Sequence, residues 1–264
     1  MSSDNGISTE TSSARIGYLH SGKLLGTNIN GGDLVRLVNE EFKGTILEVP
    51  IDEPKETDAP YLILMRNAFY GFALDTVLAK EGIKDIKVAS PGEVMELMHS
   101  FISGNRELNG FQYAEFSTGV VLHERKGPNK EYARHLLSQL KQSSYNDLVQ
   151  QGMPFILARL VLSKDESFPN SLKLDVEEHT IIEPAPSLKS GNWYGVENNT
   201  ELSHAVNGAD KIDPRGPGRI DFRYSSNGLR PLHVFYGNNF SSVGYDLTRS
   251  VDLGKGYLLV SKTK

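Results

Sequence analysis

Cysteine is absent from all 264 residues, which removes disulfides, thiol catalysis and thiolate zinc sites at once. Long apolar runs are missing as well. No stretch approaches the roughly 20 apolar residues that a membrane helix needs, so no membrane partner is expected. Positive charge is not in excess: 28 Lys and Arg stand against 33 Asp and Glu, for a formal net charge of −5 and a pI near 5.8. That disfavours a nucleic-acid binder relying on overall basicity, although a local patch can still hold phosphates. The first fourteen residues, MSSDNGISTETSSA, show neither the basic nor the apolar segment of a secretory signal, and they have almost nothing to bury. They are expected to form a disordered tail, in a protein that is cytoplasmic or secreted without a cleaved signal peptide. The sequons at Asn198 and Asn239 accordingly carry little weight.

What is present suits a folded chain. A hydrophobic fraction of 38% with 23% charged residues is enough to build a core and argues against disorder as the main state. Over residues 15–163, strand and helix signals alternate. Arg15–His20 reads as a strand, and Asp33 is placed to cap a helix carrying Leu34, Val35, Leu37, Val38 and Phe42 up to Gly44. Thr45–Ile51 and Tyr61–Met65 read as strands, followed by a helix over Asn67–Glu81 that ends at Gly82 and a strand near Ile86–Ala89. Ser90-Pro91-Gly92-Glu93 is a helix start. Phe111–Leu122 reads as a long strand, Pro128–Gln142 as a helix with Tyr132, Leu136 and Leu140 on one stripe, and Pro154–Leu162 as one buried strand. This alternation predicts an α/β layered domain.

Past Ser163 the texture changes. A polar connector, Lys164–Ser171, and a break at Glu183–Pro186 separate strand-like stretches at 172–176, 180–182, 219–224, 232–236, 243–247 and 257–261. Residues 164–264 are therefore expected to be a β-rich portion or second domain, with a single α+β domain as the alternative. Trp193-Tyr194 is expected in a loop, as a plug between the two halves.

Polar chemistry is concentrated in Asn207–Leu247, which holds four arginines among glycines, prolines and aromatics. The Asn227-Gly228 pair predicts a hairpin between 219–224 and 232–236. A two-residue loop would pair Phe222 with His233 and Arg219 with Tyr236, leaving His233 on the apolar face. One bulged residue near Pro231 would instead bring His233 to the side of Arg219 and Arg223. In that arrangement Arg215, Arg219 and Arg223 would bind an anion, His233 would serve as acid or base, and Tyr236 would position the substrate. The competing reading is a solvated strand face on which the arginines meet Asp210, Asp213 and Asp221. Arg215, Arg219-Ile220 and Ser225–Leu229 also resemble pieces of the catalytic sheet of barnase-type bacterial ribonucleases. The family's upstream glutamate has no counterpart here, and its histidine after the second strand is replaced by Asn238-Asn239, so the resemblance assigns no family.

Other constellations are weaker. Asp175, Glu177 and His179 would share a face if 173–179 were a strand, a donor set that suits a divalent metal; no HExxH or EF-hand pattern accompanies it, and an exposed polar face is expected. Arg134 and His135 are expected on a solvated helix face, and Phe69, Tyr70 and Phe72 in the core. The sequence therefore points to a phosphate-directed protein that binds, and in its stronger form cleaves, a nucleotide or RNA with no metal or cofactor. The alternative is a non-enzymatic interaction protein, such as a secreted effector, with a protein partner.

Overall fold

The computed structural model describes residues 31–48, 62–64, 69–84, 86–90, 113–121, 129–186, 192–193, 220–221, 228–235, 239–241 and 255–260. The expected helix from Ser90 to Gly104, the N-terminal tail and the strand at Arg15–His20 lie outside them. Within the described residues the protein is a mixed α/β structure of helices and mainly antiparallel sheets.

Helix α1 (Gly31–Glu41) buries Leu34, Val35 and Val38, positions spaced for one helical face. Asp33 lies inside its first turn rather than at its cap, accepting a hydrogen bond from Arg36 at 3.1 Å. The strand expected from Thr45 is not formed over 45–48. The Thr45 hydroxyl donates to the Phe42 carbonyl at 2.7 Å and accepts the Leu47 N–H at 3.2 Å, while the Gly44 N–H reaches the Glu48 carboxylate at 2.8 Å. These local bonds coil the chain, as hydroxyl side chains do when they compete with ladder formation, and Leu47 turns into the core.

Strand β1 (Leu62–Leu64) precedes α2 (Phe69–Lys80). The first half of α2 is apolar all round and fully buried, with Phe69, Tyr70 and Phe72 each at 0% exposure, so these aromatics are core, as expected. The helix closes as a Schellman motif: Gly82 has φ 67°, its N–H meets the Ala79 carbonyl at 3.1 Å, and the Ile83 N–H meets that of Leu78 at 2.9 Å. Strands β2 (Ile86–Val88) and β3 (Tyr113–Val121) follow. Helix α3 (Lys130–Lys141) buries Tyr132, Ala133, Leu136, Leu137 and Leu140, and the short α4 (Asn146–Gln150) follows it.

The run Pro154–Leu162 is two strands, not one. Strand β4 (Phe155–Ala158) ends where Arg159 takes φ 59°, and β5 (Val161–Lys164) leaves to pair with β6 (Leu172–Asp175) in a separate two-stranded arm. A positive φ cannot continue a pleated strand. Strand β7 (Ile181–Pro184) extends through the proline expected to break it. Among the described residues it lies at the end of its sheet and pairs with β4 alone, a position that tolerates a residue without a ladder donor.

The remaining strands are β8 (Asn192–Trp193), β9 (Ile220–Asp221), β10 (Leu229–Phe235), β11 (Asn239–Ser241) and β12 (Lys255–Val260). One sheet has seven strands in the order β7-β4-β3-β10-β11-β9-β8, and another has three in the order β1-β12-β2. Strands from the last hundred residues thus share both sheets with strands from the first part of the chain. Every described pairing is antiparallel except β11 with β9.

Two outcomes test this account. An added Cβ at Gly82 meets no atom within 4 Å, so Gly82→Ala should lower stability through its backbone alone, by roughly 1–2 kcal/mol in urea denaturation, and Gly82→Asn by less. Burial on β7 raises the Glu183 pKa above its ordinary 4.5. The folded state therefore binds a proton more readily than the unfolded one, and stability should rise as pH falls through the raised value toward 4.5. Glu183→Gln should be the more stable protein at pH 7, with the difference vanishing at pH 4.

Candidate functional site

The residues singled out from sequence divide sharply. Arg215, Arg219, Arg223 and Tyr236 lie outside the described residues. His233 lies on β10, where it pairs with Ser241 of β11 on one side and Glu115 of β3 on the other. A strand has two edges, and at 233–235 both edges of β10 are occupied. Strand β9 consequently pairs with β11 and β8, and the predicted pairing of 219–224 with 232–236 is not formed at Ile220 and Asp221.

A register shift does occur beside Pro231, but in the ladder with β3. Pro231 pairs with Gly119 and His233 with Glu115. Between these pairs β10 supplies one residue, Leu232, and β3 supplies Phe116, Ser117 and Thr118. Such a bulge breaks side-chain alternation and re-aims side chains. Phe116, Ser117 and Thr118 are buried, at 1%, 7% and 2% exposure, as are Gly119, Val120 and Val121, so this part of β3 is covered on both faces. The two hydroxyl residues are the buried polar side chains of the described structure.

Both of them line a cleft of about 610 Å³. Its apolar wall includes Leu78, Ile83, Ile86, Val88, Leu160 and Leu162, from α2, the α2–β2 turn, β2 and the start of the β5–β6 arm. The cations are Lys80, Lys87 and Arg159, with the imidazole of His179; the carboxylates are Glu41, Asp75 and Glu177. Lys80 is hydrogen-bonded to Glu41, and first that bond and then the charge of Glu41 hold the Lys80 pKa above its ordinary value. Thr76 on α2 accepts the Leu162 N–H at 2.9 Å, fastening the arm to the helix.

The register shows how Ser117 and Arg159 both reach this cleft. Thr118 pairs with Ala158 where the β3–β4 ladder ends, and Ser117 and Arg159 are the residues next to that pair. Ala158 pairs with Ile181, so the next position there sets Arg159 against Thr180. The Thr180 hydroxyl donates to the Arg159 carbonyl at 3.2 Å. Arg159 and Thr180 thus meet just beyond the end of β4, and Ser117, in the middle of β3 where it bulges, lines the same cleft as Arg159. Non-glycine residues held at positive φ concentrate at ligand clamps and active sites. Sequence offered one signal here: Arg159 is a charge inside the apolar run Pro154–Leu162.

The supposed metal face is not built. Strand β6 stops at Asp175, and 177–180 is a turn closed by the Thr180 N–H on the Glu177 carbonyl at 2.9 Å, so Asp175, Glu177 and His179 do not share a strand face. No group of metal-ligating side chains is found among the described residues. No described helix is long and apolar enough to cross a membrane.

Asp175 belongs to a second polar cluster under α3. It accepts from His135 Nε2 at 2.6 Å and Gln139 Nε2 at 3.0 Å on one oxygen, and from Lys173 at 3.1 Å on the other. The His135 ring also packs edge-on against Phe168, with centroids 5.0 Å apart. His135 is therefore not the solvated residue expected, because its side chain is only 22% exposed and Asp175 only 15%. Removing the shared acceptor strands three donors, so Asp175→Ala should lose roughly 1–3 kcal/mol of stability at pH 7 in urea denaturation. A loss below about 0.5 kcal/mol would mean that solvent already screens the cluster.

No family model, no curated protein and no solved structure matches this chain.

Proposed function

We propose that the protein binds a nucleotide-like phosphate ester in the cleft, with the phosphate against Arg159, Ser117 and Thr118. The observation that carries this reading is that a strand bulge bearing two hydroxyls and a left-handed arginine line one cleft. Arginine presents a planar fork of donors matched to phosphate oxygens, and neighbouring hydroxyls add donors that are buried and hence weakly screened.

The mixed charge of the cleft fits a nucleotide better than a bare anion. Asp75 and Glu177 can accept hydrogen bonds from ribose hydroxyls or a base amine. The wall of Ile83, Ile86, Val88, Leu160 and Leu162 offers apolar surface to a ring. His179 lines the same cleft, which gives it, rather than His233, the role of acid or base in any cleavage reaction.

Calorimetric titration with AMP, inorganic phosphate and a short RNA tests the proposal, with Arg159→Ala and the double variant Arg219→Ala/Arg223→Ala alongside. AMP should bind the wild type, and Arg159→Ala should weaken it roughly tenfold to a hundredfold, the worth of a charged hydrogen-bonding group. The double variant should bind as the wild type does. Binding lost in the double variant and kept in Arg159→Ala would move the site to the 219–223 arginines. No binding of any of the three would leave the non-enzymatic interaction protein as the better reading.

A further inference from the structure

Arg159 can present its guanidinium in one direction only if its unusual backbone conformation is held. Left-handed backbone is disfavoured by about 1–2 kcal/mol for a residue carrying a Cβ, so a neighbouring group must stabilise it. The ladders that flank β4 end at Ala158, paired with Thr118 on one side and Ile181 on the other. The Arg159 carbonyl lies one position beyond them, and there the Thr180 hydroxyl meets it at 3.2 Å.

That hydroxyl is engaged twice. While donating to Arg159, it accepts the Glu177 N–H at 2.9 Å, and the Thr180 N–H returns to the Glu177 carbonyl at 2.9 Å. A hydroxyl has one proton to give and lone pairs to accept with, so a single atom closes the 177–180 turn and ties it to Arg159. The far end of the turn is anchored as well: the Val176 N–H donates to Gln139 Oε1 at 3.0 Å, on α3. The same turn carries Glu177 and His179 to the cleft. The Arg159 side of the cleft and its Glu177–His179 side are therefore joined through one oxygen.

We infer that Thr180 is a positioning residue of the cleft: its hydroxyl holds Arg159 left-handed and fixes the distance between the arginine and the Glu177–His179 turn. The inference rests on the reading of the cleft as a phosphate site for its effect on affinity, but not for its effect on Arg159. Valine is the informative replacement, since it keeps the branched shape and removes the hydroxyl; serine keeps the hydroxyl and removes the methyl.

Two measurements on Thr180→Val and Thr180→Ser decide the matter. The first is the backbone carbon chemical shifts of Arg159, which change when a residue leaves the left-handed region. They should move in Thr180→Val and stay near wild type in Thr180→Ser. The second is titration with AMP, where Thr180→Val should bind roughly threefold to tenfold more weakly, the worth of one net hydrogen bond, and Thr180→Ser should bind as the wild type does. Unchanged Arg159 shifts in Thr180→Val overturn the inference, and so does equal loss of affinity in both variants. If the wild type itself does not bind AMP, the phosphate reading falls, while the Arg159 shifts still decide what Thr180 holds.

Discussion

The left-handed turn at Arg159 is the constraint on which the arrangement depends. Strand β4 is filled on both edges through Ala158, by β3 on one side and β7 on the other. Had the apolar run continued as one strand, Leu160 and Leu162 would have extended the seven-stranded sheet. Reversing φ at a single residue sends the chain off as the β5–β6 arm, which α2 captures through Thr76 and the core captures through Leu160, Leu162, Leu172 and Leu174. The cleft is the space left between that departing arm, α2, β2, the middle of β3 and the end of β4. A break in one strand thus opens the wall and carries Arg159 to it.

Helix α3 supports this geometry from the other side. Its buried stripe of Tyr132, Leu136 and Leu140 faces the common core, while its polar margin grips the arm. Tyr132 donates to the Pro169 carbonyl at 2.5 Å, Gln139 bonds both Asp175 and the Val176 N–H, and His135 bonds Asp175. These contacts fall on the start and the end of β6, the strand that leads into the 177–180 turn. Asn129, left-handed at φ 58° just before the helix, donates to the Leu229 carbonyl of β10 at 3.0 Å and so ties the helix to the large sheet. The arm is held at both ends by part-buried hydrogen bonds, which water disturbs less than exposed ones.

Sequence made the local features legible and left the non-local ones hidden. The α3 stripe, the Gly82 stop of α2, the long β3 strand and the buried aromatics of α2 all follow from spacing and backbone permissiveness within a few residues, and each is present. The mixed α/β composition follows from the same signals; the antiparallel pairing of the sheets does not. The expectations that failed each depended on a partner or a side-chain bond that spacing does not encode. The strand expected from Thr45 does not start there because the Thr45 hydroxyl bonds locally instead. Pro154–Leu162 was read by apolar continuity, although arginine has no preference for positive φ that could announce the break. The 219–236 hairpin was read from Asn227-Gly228, yet β11, later in the chain, occupies the edge of β10 that β9 would have needed.

The candidate site shows the same division. A charge inside an apolar run was visible at Arg159, but its meaning depends on register. The two extra residues that β3 places between its pairings with Pro231 and His233 are what turn Ser117 and Thr118 to one cleft. Neither hydroxyl is distinctive in the string Phe116-Ser117-Thr118-Gly119, where alternation alone would send one to each face. A polar group buried to a few per cent is retained at a free-energy cost unless it is satisfied. In a strand otherwise built from Phe116, Val120 and Val121, apolar side chains would have filled the same space. Ser117 and Thr118, adjacent at the bulge, instead bring two hydroxyls to the cleft that Arg159 also lines, which is what the proposed phosphate site requires.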